Sequence, residues 1–102
     1  MDLTLPMDLP IEQIIEFCQR KPIRKLSLFG SILREDFKPE SDVDMLVEFI
    51  PNSRVGYFEL IGMETELTEM LKRKVDLRTS AEISRYFRQR VLDFAQVIYE
   101  HR

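Results

Sequence analysis

The stretch LFGSILREDFKPESDVDMLVEF, residues 28–49, decides how this chain is read. Two apolar runs frame it. The first closes on Gly30-Ser31 and the second carries Asp42-Val43-Asp44. Strand residues two apart point to the same face, so Asp42 and Asp44 aim together while Val43 points the other way. Met45 to Val47 are apolar on both faces. The pattern is that of a strand covered on both sides, with its N-terminal end open at a carboxylate pair.

Two adjacent carboxylates repel. Either a positive group sits between them or one pKa rises. A hard divalent cation with oxygen ligands resolves the conflict, and magnesium takes one or two carboxylates together with substrate phosphates and water. Gly30 ends the first strand and lets a backbone approach a ligand. A helical turn starting at Ser31 would add free N–H groups and a hydroxyl as an anion cradle. A cradle facing a carboxylate pair is the outline of a phosphoryl or nucleotidyl transfer site. A third acid, Asp76, stands in the short apolar run Val75-Asp76-Leu77 and would complete the set if that strand lies beside the second one.

Outward from this centre the pattern is α-β-α-β-α-β-α. Residues 1–9 form a loose lead-in. Ile11, Ile14, Ile15 and Cys18 follow the spacing of one helix face after Pro10, and Pro22 ends it. Residues 23–29 and 43–49 read as strands. Residues 31–37 suit one or two helical turns, and Lys38-Pro39-Glu40 is a loop. Tyr57 to Arg73 is a helix with Leu60, Met63, Leu67 and Met70 on one stripe and Glu64, Glu66 and Glu69 largely off it. Residues 74–78 are a third strand. A last helix runs from Ala81 to Phe94 with Ile83, Phe87, Val91 and Phe94 inward. Residues 95–102 fit either a continued helix or an extended piece. The class is α/β or α+β: a small mixed sheet of about three strands flanked by helices. The link between the first two strands is compatible with parallel or antiparallel pairing.

At 102 residues the chain makes one domain, residues 1–102. Its net charge of -3 argues against general nucleic-acid binding. No apolar run approaches the ~20 residues that span a bilayer, and the N-terminus lacks signal-peptide character. With the single cysteine, Cys18, these features point to a soluble cytoplasmic protein. Cys18 reads as inert packing, and His101 has no second histidine with which to bind zinc. Arg78, Arg85, Arg88 and Arg90 read as a solvated basic face, with a docking patch or triphosphate guide as the sharper reading. Arg34 is a surface arginine or a partner of Asp36. Tyr57, Phe58, Tyr86 and Phe87 read as core or core-edge residues, with service to a partner as the other reading of Tyr86 and Phe87.

Gly30-Ser31, ten intervening residues, and Asp42-Val43-Asp44, followed by Val75-Asp76-Leu77, resemble the signature of the minimal nucleotidyltransferases, a branch of the polymerase-beta-like nucleotidyltransferase superfamily. The resemblance runs from about Ile23 to Tyr99. It implies that fold, with Asp42, Asp44 and Asp76 holding one or two Mg2+ ions and serving catalysis. Asp76 would also help to activate the acceptor hydroxyl. It implies nucleotide contacts at Gly30 and Ser31, with Ser41 and Arg34 beside them. Many relatives have Arg-Gly after the Gly-Ser turn, where this chain has Arg34-Glu35. Stand-alone domains of this family resemble antitoxins of type VII pairs. The implied activity is transfer of AMP from ATP to a tyrosine of a HEPN-domain ribonuclease toxin, the expected partner. Two other readings stand beside it: an antitoxin that neutralises by contact alone, and a nucleotidyltransferase acting on a small molecule or an RNA end.

Overall fold

A computed structural model describes residues 8–34 and 37–101. Helix α1, Ile11–Arg20, is followed by strand β1, Ile23–Phe29, and by a single 3₁₀ turn, Gly30–Leu33. Strand β2, Val43–Phe49, leads into helix α2, Tyr57–Leu71, and strand β3, Val75–Arg78. A second 3₁₀ turn, Ser80–Glu82, precedes helix α3, Arg85–Phe94, and strand β4, Gln96–Glu100, closes the chain.

The sheet has four strands in the order β3-β2-β1-β4, one more than the sequence pattern indicates. The added strand is β4, where residues 95–102 left helix and extended structure open. It pairs antiparallel with β1, and the His101 N–H donates to the Arg24 carbonyl at 2.7 Å beyond its end. Strands β1 and β2 are antiparallel. Only one 3₁₀ turn forms among the described residues between them, which is too little for a crossover. Helix α2 is a full crossover, and β2 and β3 run parallel.

Leu26, Leu28, Met45, Val47, Val75 and Leu77 are buried in one core cluster with α1 and α2. From α1 come Ile14, Phe17 and Cys18, and from α2 Met63, Leu67 and Leu71. The α1 stripe therefore runs through Phe17, which the Ile11-centred spacing passes over; Ile11 is exposed. Asp44 and Asp76, at alternate positions, face away from this cluster.

Further expectations are corrected. The first turn begins at Gly30 with Phe29 as its cap, so Ser31 is inside the turn and does not cap it. The last helix starts at Arg85, because a capping box between Thr79 and Glu82 closes a separate turn and Ser84 then caps α3. Nor is an inner face of α3 buried by the described residues: none of its residues is buried, and Phe87 and Phe94 are 62% and 73% exposed. Tyr57, Phe58 and Tyr86 are also exposed. Among the described residues no helix is long and apolar enough to cross a membrane.

Candidate active site

Parallel pairing of β2 with β3 sets Asp44 opposite Asp76, between the apolar pairs Val43 with Val75 and Met45 with Leu77, and Leu46 stands opposite Arg78. On its other side β2 sets Asp44 opposite Phe29, the last residue of β1. Gly30 therefore turns directly over the carboxylate. Its φ is +78°, a conformation that costs most residues free energy, and a Cβ there would collide with Asp44 Oδ2. Glycine is required here for both reasons.

Burial first, then the like charges of Asp76 and Asp42, push the Asp44 carboxyl above its ordinary value; Arg78 and Arg34 pull it the other way. Asp44 thus feels the charge of both other acids. Asp42, just before β2, has Oδ2 4.0 Å from Lys74 Nζ. Asp76 is held more firmly. Arg78 Nε donates to Asp76 Oδ2 at 3.1 Å, and Nη2 lies at the same distance from the same oxygen. Arg78 was expected on a basic face with Arg85, Arg88 and Arg90. Instead it turns to Asp76, and Arg88 spends its donors on the Ser80 and Ile83 carbonyls.

The remaining candidates are placed as follows. Ser31 is half-buried beside Gly30, and its carbonyl accepts from the Arg34 N–H at 2.9 Å. Arg34 is exposed, and with Gly30 it lines a groove of about 710 Å³ whose opposite wall is α3, through Phe87 and Phe94. Ser41 is engaged in its own loop: its Oγ accepts from the Lys38 N–H at 2.9 Å, and its N–H donates to the Lys38 carbonyl at 2.9 Å. The geometry gives Ser41 a loop-closing part, which holds Asp42 at the mouth of β2. Arg73 adds to this by donating to the Lys38 carbonyl and covering the Phe37 ring. The departure at Arg34-Glu35 and the pairing of Arg34 with Asp36 fall on Glu35 and Asp36, outside the described residues.

Position 64 carries a role that pattern reading missed. Glu64 Oε2 accepts from the Leu77 N–H at 2.8 Å, and Thr68 Oγ1 from the Val75 N–H at 3.0 Å. Side chains of α2 thereby satisfy the open edge of β3 and fix Asp76 beside β2. An off-stripe glutamate four residues before a threonine was the available signal.

Three carboxylates form an all-oxygen donor set suited to a hard divalent cation, and the mutual repulsion felt at Asp44 is what such an ion relieves. Among the described residues, however, no three acidic, histidine or cysteine side chains converge closely enough to hold a metal ion. Asp42 and Asp76 each lean toward a basic side chain of the same chain.

A mixed sheet with a glycine turn stacked over paired carboxylates is the architecture of a nucleotidyltransferase. The family model for the nucleotidyltransferase domain matches residues 11–99, and the chain belongs to that family, in its minimal branch. It is 32% identical over 83 residues to "Putative protein adenylyltransferase MJ0435" of Methanocaldococcus jannaschii, spanning 81% of this chain and 87% of that protein. It is 33% identical over 86 residues to the protein adenylyltransferase MntA of Thermococcus cleftensis, spanning 82% and 81%. Among solved structures, a toxin-antitoxin crystal structure with AMP-PNP superposes with a TM-score of 0.75 at 20% identity, covering 92% of this chain and 76% of that one. A complex of tri-AMPylated Shewanella oneidensis HEPN toxin with its MNT antitoxin gives 0.65 at 19% identity, covering 89% and 70%. These likenesses establish the fold.

Proposed function

We propose that this nucleotidyltransferase is the antitoxin of a type VII pair and moves AMP from ATP to a tyrosine of a partner HEPN ribonuclease toxin. The carrying observation is Asp44 in register with Asp76 and stacked under Gly30. Relatives named as protein adenylyltransferases, and structural neighbours that are MNT complexes with HEPN toxins, support the acceptor class.

Asp42, Asp44 and Asp76 would hold Mg2+, which when bound neutralises charge on the triphosphate and on the transition state. The chain's own residues then have defined tasks. Gly30 lets the backbone turn lie against the Asp44 carboxylate, and Gly30 and the Ser31 hydroxyl would contact the phosphates beside it. Arg34, at the groove wall, adds positive charge near the triphosphate. Asp76 takes the proton of the acceptor hydroxyl as the oxygen attacks the α-phosphorus. The new P–O bond forms, the bond from the α-phosphorus to the bridging oxygen breaks, and pyrophosphate leaves.

A contact role accompanies the chemical one. Among the described residues none covers Phe87 and Phe94 of α3, and their exposed rings would form a surface that a partner can bury. Incubation of the protein with labelled ATP, Mg2+ and the HEPN protein tests the proposal. Label should appear on the partner and be lost in the Asp42→Asn, Asp44→Asn double variant. If that variant neutralises the toxin at equal dose, contact suffices; if label goes instead to RNA ends or to a small molecule, the acceptor assignment is wrong.

A further inference from the structure

Beyond the three acids, the site contains a cation of its own. Arg78 stands two residues after Asp76, so strand alternation puts both side chains on one face of β3. Its Nε and Nη2 both reach Asp76 Oδ2 at 3.1 Å, and Asp76 is only 29% exposed, so this pair is less screened than an ordinary surface bridge. Lys74, two residues before Asp76, lies 4.0 Å from Asp42 and is far more exposed. Arg78 and Asp76 share a recess of about 140 Å³ with Glu64 and Glu82.

We infer that Arg78 is a built-in counter-ion which competes with free divalent metal for Asp76 and passes to the nucleotide phosphates when metal and nucleotide enter together. The inference rests on the nucleotidyltransferase reading of the acids. A lone metal ion must take Asp76 from a guanidinium already paired with it, and meets a nearby positive charge besides. A nucleotide entering with the metal supplies new anionic oxygens for the displaced arginine, whose planar fork suits phosphate. Arg78 thus favours joint loading over metal alone. It is a positioning residue for the metal site, set beside the acids and acting through Asp76.

Calorimetric titration of Mn2+ into the nucleotide-free protein, and of a non-hydrolysable ATP analogue into the protein with Mn2+, separates these effects. Arg78→Gln is expected to bind Mn2+ alone about 10-fold tighter, the size of change that one charge at ~4–6 Å supports, and to bind the analogue more weakly. Lys74→Gln, whose pairing is exposed, should change either value far less. A merely structural arginine would not move the two affinities in opposite directions, and unchanged circular dichroism in both variants excludes misfolding. Wild-type affinity for Mn2+ alone in Arg78→Gln overturns the inference while leaving the metal site standing. An absence of Mn2+ binding in wild type, with or without the analogue, overturns both.

Discussion

Gly30 is the residue on which the site turns. Its positive φ and the absence of room for a Cβ beside Asp44 make Gly30→Ala costly twice over. Backbone strain of this type costs ~1–3 kcal/mol. Urea unfolding should show a loss of that size, and label transfer should fall with it. Asp44 predicts the opposite trade. Its folded-state pKa is raised above the ordinary 3.8, so the fold holds this proton more tightly than the unfolded chain does. Stability tied to Asp44 therefore declines as pH climbs from about that ordinary value through the raised one, and the penalty is complete above it. In chelating buffer, Asp44→Asn should raise the melting temperature at pH 7 and leave it unchanged near pH 3, while abolishing transfer. The approach of Asp76 to Asp44 was legible because both stand in short apolar strands that need only lie side by side. Asp42, by contrast, stands before β2, and the sequence allows either pairing of β1 with β2, of which the antiparallel one brings Gly30 to Asp44. The part played by Arg78 was not legible. Alternation placed it on the face of Asp76, but an exposed arginine in a basic run looks like a solvated one until a partner is seen.

Among the elements, α1 and α3 differ in what covers them. Phe17 is fully buried between α1 and the sheet, so Phe17→Ala should cost ~3–5 kcal/mol in denaturant unfolding. Phe87 and Phe94 on α3 are exposed, and Phe87→Ser with Phe94→Ser should stay within ~0.5 kcal/mol for each substitution. The same pair should weaken capture of the HEPN partner in a pull-down. Apolar periodicity reports that a helix is amphipathic. It does not report whether the cover comes from the same chain, which is why α3 read as a core helix. Strand β4 was open for a related reason: Gln96-Val97-Ile98-Tyr99 is short, and its pairing with β1 is a long-range event that local pattern does not encode.

For the whole molecule, the fold gathers residues more than 30 positions apart in sequence onto one end of a four-stranded sheet. The parallel β2–β3 pair brings Asp76 to Asp44, the antiparallel β1–β2 pair brings Gly30, and α2 side chains hold the edge strand in place. A thin core with α1 and α2 on one face leaves α3 and the acid pair outside it. Cys18, buried in that core with its thiol pushed up to about 12, reports on the integrity of the whole. Native protein at pH 8 should resist iodoacetamide, and unfolded protein should react. The central claim is that the acids gathered here carry AMP transfer to a partner. Its most direct test is labelled-ATP transfer to the HEPN protein by wild type and by the Asp42→Asn, Asp44→Asn double variant, with fold checked by circular dichroism. The account predicts label on a partner tyrosine with wild type and a loss on the order of 100-fold or more with the variant. Equal labelling by the two proteins would contradict it.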